Sequence, residues 1–174
     1  MEAVMNNVTI EKAKTSKIKD VDFDNLSFGS IYTDHMLVCN YKNGQWEAPK
    51  VVPYQPITLD PSSKIFHYGQ SIFEGMKAYK DENGSVWLFR PLENFKRLNK
   101  SAKRMAMPEL PESHFMDGLT TLLQVDNEWI PQSAGSSLYI RPFMFASGNG
   151  FHASPADEYK FIIACAPSGS YFSG

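Results

Sequence analysis

Two arginines and a tyrosine are the residues of this sequence best placed to bind an anion. Tyr139 and Arg141 alternate with aliphatic residues in the run SLYIRP, a spacing that puts both on one face of a strand. The pattern fits either the polar outer face of an edge strand or a pocket wall. Arg97 lies off the apolar stripe of a predicted helix, where it is either a solvated charge or a phosphate ligand. Its planar guanidinium suits a phosphate dianion geometrically.

Other familiar catalytic signatures are absent from the sequence. Glu74 lies beside a glycine in Phe-Glu-Gly, but no serine, partner acid or ligand cluster accompanies it. We therefore expect Glu74 to be structural, accepting bonds from backbone amides at a turn. Walker, GxGxxG, GxSxG and HExxH motifs do not occur, so nucleotide, hydrolase and zinc-protease functions lack support. Cys39 and Cys165 stand far apart, outside any Cys/His cluster, which predicts free thiols and no metal site.

Composition indicates one globular domain with a small-molecule partner. The 174 residues are 43% hydrophobic, 21% charged and 13% aromatic, with a net charge of −2. A near-neutral chain has no global field that favours nucleic acid or an anionic membrane, and abundant aromatics suit a ligand pocket. The sequence contains no apolar run of membrane-spanning length and no signal-peptide pattern at its start. We expect a cytoplasmic protein with neither a nucleic-acid nor a membrane partner.

The elements that must position these residues can be predicted from turns and periodicity. Two Asn-Gly turns, at 43–44 and 83–84, predict hairpins, the second one joining strands over residues 76–80 and 86–89. Segments 137–145 and 159–166 predict two further strands, the latter buried on both faces. Residues 1–20, which are polar and lysine-rich, predict a loosely ordered arm.

Two helices are predicted between the second hairpin and the last strands. Pro91 suits a first helical position, and apolar residues then recur at helical spacing. The two predicted apolar stripes are Leu92, Phe95, Leu98, Ala102 and Met105, then Phe115, Met116, Leu119, Leu122 and Leu123. Strands, two helices and then strands predict an α+β domain, a layered sheet with two covering helices, over residues 21–168. Residues 169–174 have the composition of a linker.

Five sequence blocks, taken in order, resemble the branched-chain amino acid aminotransferases, which use pyridoxal 5′-phosphate (PLP) in fold type IV. The blocks are FGSIYTDHM, HYGQSIFEGMKAY, LFRP, SLYIRP and CAPSGSYF. The resemblance implies that the chain is the small N-terminal domain of such an enzyme, and that 169–174 begins the interdomain linker.

The same resemblance implies roles for particular residues. Arg97 matches the family's phosphate-binding arginine, and Arg141 matches the arginine that meets the distal carboxylate of glutamate. The residues implied to bind substrate are Phe28, Tyr68, Phe73, Tyr139, Arg141, Tyr171, Phe151 and Ala153. Of these, Phe151 and Ala153 lie in a loop that reaches the neighbouring subunit's pocket in the family, which implies a homodimer.

The implied reaction transfers the amino group of leucine, isoleucine or valine to 2-oxoglutarate, giving glutamate. In the family the Schiff-base lysine lies in the second domain, which would follow Gly174, so we expect no catalytic residue here and an inactive chain on its own. PLP is expected in the intact enzyme and not covalently on this chain. The alternatives are another fold-type-IV enzyme, namely a D-amino acid aminotransferase or an aminodeoxychorismate lyase, and a stand-alone non-catalytic binding domain.

Overall fold

A single mixed sheet organises the computed structural model, which describes residues 2–5 and 7–169. In chain order, the strands in this part of the chain are β1 (Glu2–Met5), β2 (Val8–Glu11), β3 (His35–Lys42), β4 (Gln45–Trp46), β5 (Lys50–Pro53), β6 (Ser71–Phe73), β7 (Met76–Lys80), β8 (Val86–Leu88), β9 (Ser137–Ala146) and β10 (Tyr159–Ser168). The helices are α1 (Lys64–Tyr68), α2 (Pro91–Arg104) and α3 (Glu112–Val125), with 3₁₀ turns at Ile18–Asp20 and Asn127–Trp129.

The strands lie in the order β1-β2-β5-β3-β10-β9-β7-β8, with β4 paired to β3 and β6 paired to β9. All these pairs are antiparallel except β2 with β5. The longest ladder joins β9 to β10, from Ser137 opposite Ser168 to Ala146 opposite Tyr159. A largely antiparallel sheet with its main helices packed together on one face is an α+β architecture, so the expected fold class is confirmed.

Both predicted hairpins are present. Asn43 and Gly44 have φ values of 52° and 78°, the left-handed backbone that a two-residue turn between twisted strands requires. In the second hairpin the turn between β7 and β8 contains Gly84 at φ 82°. Asp81 fixes this turn, because its carboxylate accepts the backbone N–H groups of Asn83 and Ser85.

Helices α2 and α3 cover one face of the sheet. The ring of Phe115 lies 5.5 Å from that of Phe95 and 6.0 Å from that of Phe161 on β10, so the two helices and the sheet share one core. Burying each such side chain stabilises the fold by about 1.5–3 kcal/mol. The predicted stripes are confirmed at their centres, whereas Leu92 and Met105, at the ends of the first stripe, are exposed. No helix in the described part of the chain is both long and apolar enough to cross a membrane.

The opposite face of the sheet, called the open face below, is only partly covered. Its own small cluster consists of Met36, Phe145 and Ile162. Side chains from α1 and from residues 54–59 pack against this cluster. Positions 139, 141 and 143 of β9 point to the same face because side chains alternate along a strand.

The expectation of a loosely ordered arm over residues 1–20 is wrong for Val8–Glu11. This strand pairs in parallel with β5, and Val8 and Ile10 lie in the core. The alternation in Val-Thr-Ile-Glu is the strand signal that the surrounding lysines obscured.

A buried polar network attaches residues 13–17 to the rest of the fold. The His35 ring contacts Asp126 through Nδ1 at 2.6 Å and accepts the Ala13 N–H through Nε2 at 2.9 Å. Asp34 accepts the Lys17 N–H at 2.9 Å and the Trp129 indole N–H at 3.0 Å. Burial acts to raise the pKa of Asp34, but the bonds from Lys17, Ser16 and Trp129 outweigh it and the pKa is lowered.

Candidate active site

Strand β9 divides its side chains between the core and the open face. Leu138 and Ile140 are fully buried against the helices, whereas Tyr139 and Arg141 are half-buried on the other side. The prediction that Tyr139 and Arg141 share a strand face is therefore confirmed. At Tyr139, β9 pairs with β10 on one side and with β7 on the other, so this face belongs to the middle of the sheet and not to an edge strand.

Four of the residues expected to bind substrate form one contact group. Arg141 donates from Nε and Nη2 to the Tyr139 hydroxyl at 3.0 and 2.7 Å. The Arg141 guanidinium lies 4.4 Å from the centre of the Phe73 ring, within cation–π range. Phe28 meets the Tyr139 ring edge-on at 5.0 Å. The guanidinium thus lies against the rings of Phe73 and Tyr139. Among the described residues no acceptor other than the Tyr139 hydroxyl binds it, so donors remain available to a ligand.

A cavity of about 410 Å³ adjoins this group, a size suited to a small ligand. It is lined by Phe28, Gly29, Tyr32, Met36, Tyr54, Gln55, Pro56, Ile57, Tyr139, Arg141, Phe143, Ile162, Ala164, Cys165 and Ala166. Sequence reasoning missed the small side chains of Ala164 and Ala166, which lie opposite Arg141 and Tyr139 on β10. We call this the apolar cavity, since Arg141 is the one charged residue that lines it within the described part of the chain.

Gly75 allows the turn after β6 to approach Tyr139 closely. A Cβ atom added at Gly75 would lie 2.8 Å from the Tyr139 hydroxyl oxygen, closer than real contacts allow. The preceding residue, Glu74, donates its backbone N–H to the Pro142 carbonyl at 2.8 Å. The Phe-Glu-Gly segment thus lies directly against the part of β9 that carries Arg141.

Tyr68 and Phe151 form a second group. The Tyr68 hydroxyl donates to the Phe151 carbonyl, and the Phe151 ring meets His67 edge-on at 5.0 Å. Phe151 is 72% exposed, and Tyr68 and Ala153 are exposed too. None of Tyr68, Phe151 and Ala153 lines the apolar cavity, so the structure does not join them to the Arg141 group. Tyr171 lies outside the described residues.

Lys64 fixes the loop that carries Phe151 and Ala153. Its side chain is buried, and its ammonium donates to Ser154 Oγ at 2.7 Å and to the carbonyls of Ser154 and Pro155 at 3.1 Å. Its backbone N–H donates to the Gly148 carbonyl. No pattern in the sequence marks Lys64, because lysines are rarely buried.

Arg97 faces a separate, more polar cavity of about 460 Å³. This polar cavity is lined by Gly75, Met76, Lys77, Tyr79, Phe89, Arg90, Glu93, Asn94 and Arg97. Arg97 projects from the middle of α2, and its side chain is 65% exposed. Both cavities touch the same short turn, because Gly75 lines this one and abuts Tyr139 on the other side.

Glu74 binds side chains rather than the backbone amides that we expected. Its Oε1 accepts Arg97 Nε at 2.7 Å and its Oε2 accepts Arg97 Nη2 at 2.6 Å. Oε2 also accepts the Asn94 amide at 3.0 Å. The Glu74 side chain is only 4% exposed, so its charge requires these partners. The expectation that turn amides bind this carboxylate is therefore wrong.

The two cysteines are unsuited to nucleophilic chemistry. Burial, with a smaller effect of Glu47, raises the pKa of Cys39 to about 12. Burial also raises the pKa of Cys165. Both thiols are protonated at neutral pH, whereas nucleophilic attack requires a thiolate.

Solved structures share this fold. The branched-chain amino acid aminotransferase of Escherichia coli superposes with a TM-score of 0.61 and 27% identity, over 81% of this chain and 42% of that chain. The enzyme of Thermoproteus uzoniensis, solved with norvaline, gives a TM-score of 0.62 at 21% identity, over 80% and 43% respectively. The sheet with its helices thus has the fold of the small domain of the fold-type-IV aminotransferases.

Sequence comparison with curated proteins gives a more specific similarity than the fold does. The chain is 46% identical over 168 residues to branched-chain-amino-acid transaminase 1 of Bacillus subtilis, covering 95% of this chain and 47% of that protein. It is 44% identical over 162 residues to the aminotransferase of Mycolicibacterium smegmatis, covering 92% and 44%. The chain spans about half the length of the curated relatives it matches, and no family model matches it. Over that span, the chain is similar to branched-chain-amino-acid aminotransferases.

Proposed function

We propose that this chain supplies the side-chain pocket and a phosphate-binding arginine to a PLP-dependent transaminase. The reaction transfers the amino group of leucine, isoleucine or valine to 2-oxoglutarate. One observation carries the proposal: Arg141, bound to Tyr139 and stacked on Phe73, lies at an otherwise apolar cavity. Such a cavity can accept an aliphatic side chain and, in the other half-reaction, the distal carboxylate of glutamate.

The residues around Arg97 fit a phosphate group. Glu74 occupies the Nε–Nη2 side of the guanidinium. Among the described residues no acceptor binds Nη1, and Arg97 lines the polar cavity, so its guanidinium keeps donors for a ligand there. A phosphate in that cavity would receive charge-assisted bonds. PLP belongs to the family, and when bound it supplies an electron sink for amino-group transfer.

A third solved structure supports both halves of the proposal. It is a branched-chain amino acid aminotransferase complexed with N-(5′-phosphopyridoxyl)-L-glutamate, a conjugate of the cofactor and an amino acid substrate. That protein shares this fold. In the present chain, the short Phe-Glu-Gly turn separates Arg97 from Tyr139, which suits a single ligand with a phosphate at one end and a substrate side chain at the other.

Each side chain at the apolar cavity then has a specific role in the proposed reaction. The walls formed by Ile162, Ala164 and Phe143 exclude water and bind the aliphatic part of the substrate. Arg141 binds the distal carboxylate of glutamate or 2-oxoglutarate. Tyr139 orients Arg141 through its hydroxyl, and Phe73 stacks beneath the guanidinium without competing for its N–H groups.

We further propose that the loop with Phe151 and Ala153 contacts a second copy of the protein in a homodimer. Phe151 is exposed, although Lys64 holds the neighbouring backbone in place. A large apolar side chain on a fixed loop suits an interface. We propose that Tyr68, which bonds to this loop, contributes to substrate binding there.

The test is a transamination assay of the full-length protein that contains this chain. The apo-protein is reconstituted with PLP and given L-leucine, L-isoleucine, L-valine or D-alanine with 2-oxoglutarate, and glutamate formation is measured. We expect turnover with the three L-amino acids and with none of the D-substrate. Turnover of D-alanine alone would instead support a D-amino acid aminotransferase. No turnover with any donor, despite PLP binding, would contradict the proposal.

A further inference from the structure

We propose that Glu74 is the positioning residue that holds Arg97 ready to bind phosphate. The inference rests on the phosphate role proposed above for Arg97, and extends it to a residue that does not itself touch the ligand. Arg97 and Glu74 are 23 residues apart, on α2 and in the turn after β6. Their bidentate bond joins an exposed cation to a buried anion.

Glu74 is itself held rigidly. Its backbone N–H bonds to Pro142 of β9, and the Asn94 amide donates both to Oε2 and, at 3.3 Å, to the Gly75 carbonyl. The carboxylate is thus fixed from the sheet on one side and from α2 on the other. The Glu74 carboxylate is buried, bonds Asn94 and is carried on a backbone bonded to β9, so it has little freedom to follow the exposed arginine, and the arginine follows the carboxylate.

Arg97 needs such a support because most of its side chain is in solvent. A free arginine distributes its guanidinium over many rotamers, and ordering it on ligand binding opposes affinity. The Glu74 fork fixes both the position and the plane of the guanidinium, since a bidentate bond constrains orientation as well as distance. The guanidinium is then already held at the polar cavity, which Arg97 lines, before phosphate arrives.

Loss of the Glu74 charge and loss of Arg97 orientation should change phosphate affinity in opposite directions. An affinity measurement can therefore tell the two effects apart. Removing the negative charge of Glu74 would, by electrostatics alone, strengthen binding of an anion at Arg97. For a largely exposed cation this gain is small because solvent screens it. Weaker phosphate binding in a folded, neutral Glu74 variant is therefore the direction expected from lost orientation and opposite to that expected from lost charge.

The experiment measures PLP dissociation constants of the full-length apo-protein by fluorescence titration, with inorganic phosphate as a competing probe. We expect Glu74→Gln to weaken PLP by on the order of tenfold through lost rotamer restriction, and to weaken inorganic phosphate in parallel. Glu112→Gln is the control, because Glu112 is an exposed carboxylate on α3 that lines neither cavity. We expect Glu112→Gln to leave PLP affinity unchanged.

A double-mutant cycle separates positioning from general stability. If Glu74 acts through Arg97, the variant Glu74→Gln/Arg97→Ala binds PLP no more weakly than Arg97→Ala alone. If the losses of PLP affinity in the two single variants multiply in the double variant, the inference is overturned. It is also overturned if Glu74→Gln binds PLP as well as the unmodified protein while Arg97→Ala binds it weakly. Unchanged PLP affinity in Arg97→Ala would refute the phosphate role as well. Should Glu74→Gln fail to fold, Asn94→Ala removes one support of the carboxylate, and a loss of roughly two- to fivefold is expected on the same reasoning.

Discussion

Replacing Arg141 by methionine should separate the two half-reactions of the proposed transaminase. Methionine keeps an unbranched chain of similar length but removes the guanidinium that bonds to Tyr139 and stacks on Phe73. The pocket keeps its shape, so leucine loses little. Glutamate, by contrast, loses the partner of its distal carboxylate.

The size of the effect can be worked from the geometry. A charge-assisted hydrogen bond contributes about 1.5–3 kcal/mol, and a desolvated carboxylate left without a partner costs several kcal/mol. Arg141 is half-buried, so solvent can reach part of the orphaned carboxylate and the lower range applies. We expect the glutamate half-reaction to slow by roughly 10- to 150-fold, which corresponds to that range. The leucine half-reaction should change by less than about threefold, as for a volume-conserving apolar change.

The assay is single-turnover absorbance of the PLP-loaded full-length protein, mixed in turn with L-glutamate and L-leucine. Lys160→Met is the control, because Lys160 lies on the open face of β10 but bonds Asn40 at 2.8 Å, away from Arg141. That variant should leave the ratio of the two rates unchanged. Equal slowing of both half-reactions in Arg141→Met would show that Arg141 supports the fold or the cofactor, and the dual-substrate role would be wrong.

Three further substitutions test the supporting structure. Gly75→Ala should raise KM for leucine and glutamate together, because its Cβ would displace the Tyr139 hydroxyl from 2.8 Å; unchanged KM values would mean that the turn moves instead. Gly118→Ala, whose Cβ would lie 2.5 Å from Leu37 Cδ2, should destabilise by about 1–3 kcal/mol in urea unfolding, and an unchanged midpoint would show that the core has room. Asp34→Asn should destabilise most above the ordinary carboxyl pKa of 3.8, since the folded-state pKa is lowered, and its deficit should shrink as the pH falls below 3.8; a deficit that grows in acid would contradict this.

Local signals in the sequence were sufficient for much of the fold. Asn43-Gly44 and Asn83-Gly84 marked both hairpins, because few residues accept the left-handed backbone of such turns. Helical spacing identified α2 and α3, and alternation placed Tyr139 and Arg141 on one face. In each case, the residues that determine the turn, helix or strand face lie within one short stretch of the chain.

The features that the sequence did not predict depend on contacts between residues that are far apart in the chain. The burial of Val8 is decided by its pairing with β5, some forty residues away. The Glu74–Arg97 bond joins a turn to a helix, and no local pattern predicts it.

The separation of Tyr68 from Phe73 has a local backbone cause that the sequence only hinted at. The helix α1 ends at Gly69, where φ is +64°, and β6 then begins in the sheet. Residues close in sequence thereby acquire different neighbours, namely Phe151 for Tyr68 and Arg141 for Phe73.

The alternation along β9 has a consequence for how substrate preference can change. Its even positions, such as Ile140 and Met144, are fully buried beneath the helices, whereas odd positions such as Tyr139 and Phe143 line the apolar cavity. Stability and, in the proposed transaminase, selectivity thus depend on alternating residues of one strand that face opposite sides of the sheet. A library randomised at positions 139, 141 and 143 could therefore explore new substrates while leaving the residues that maintain the fold untouched.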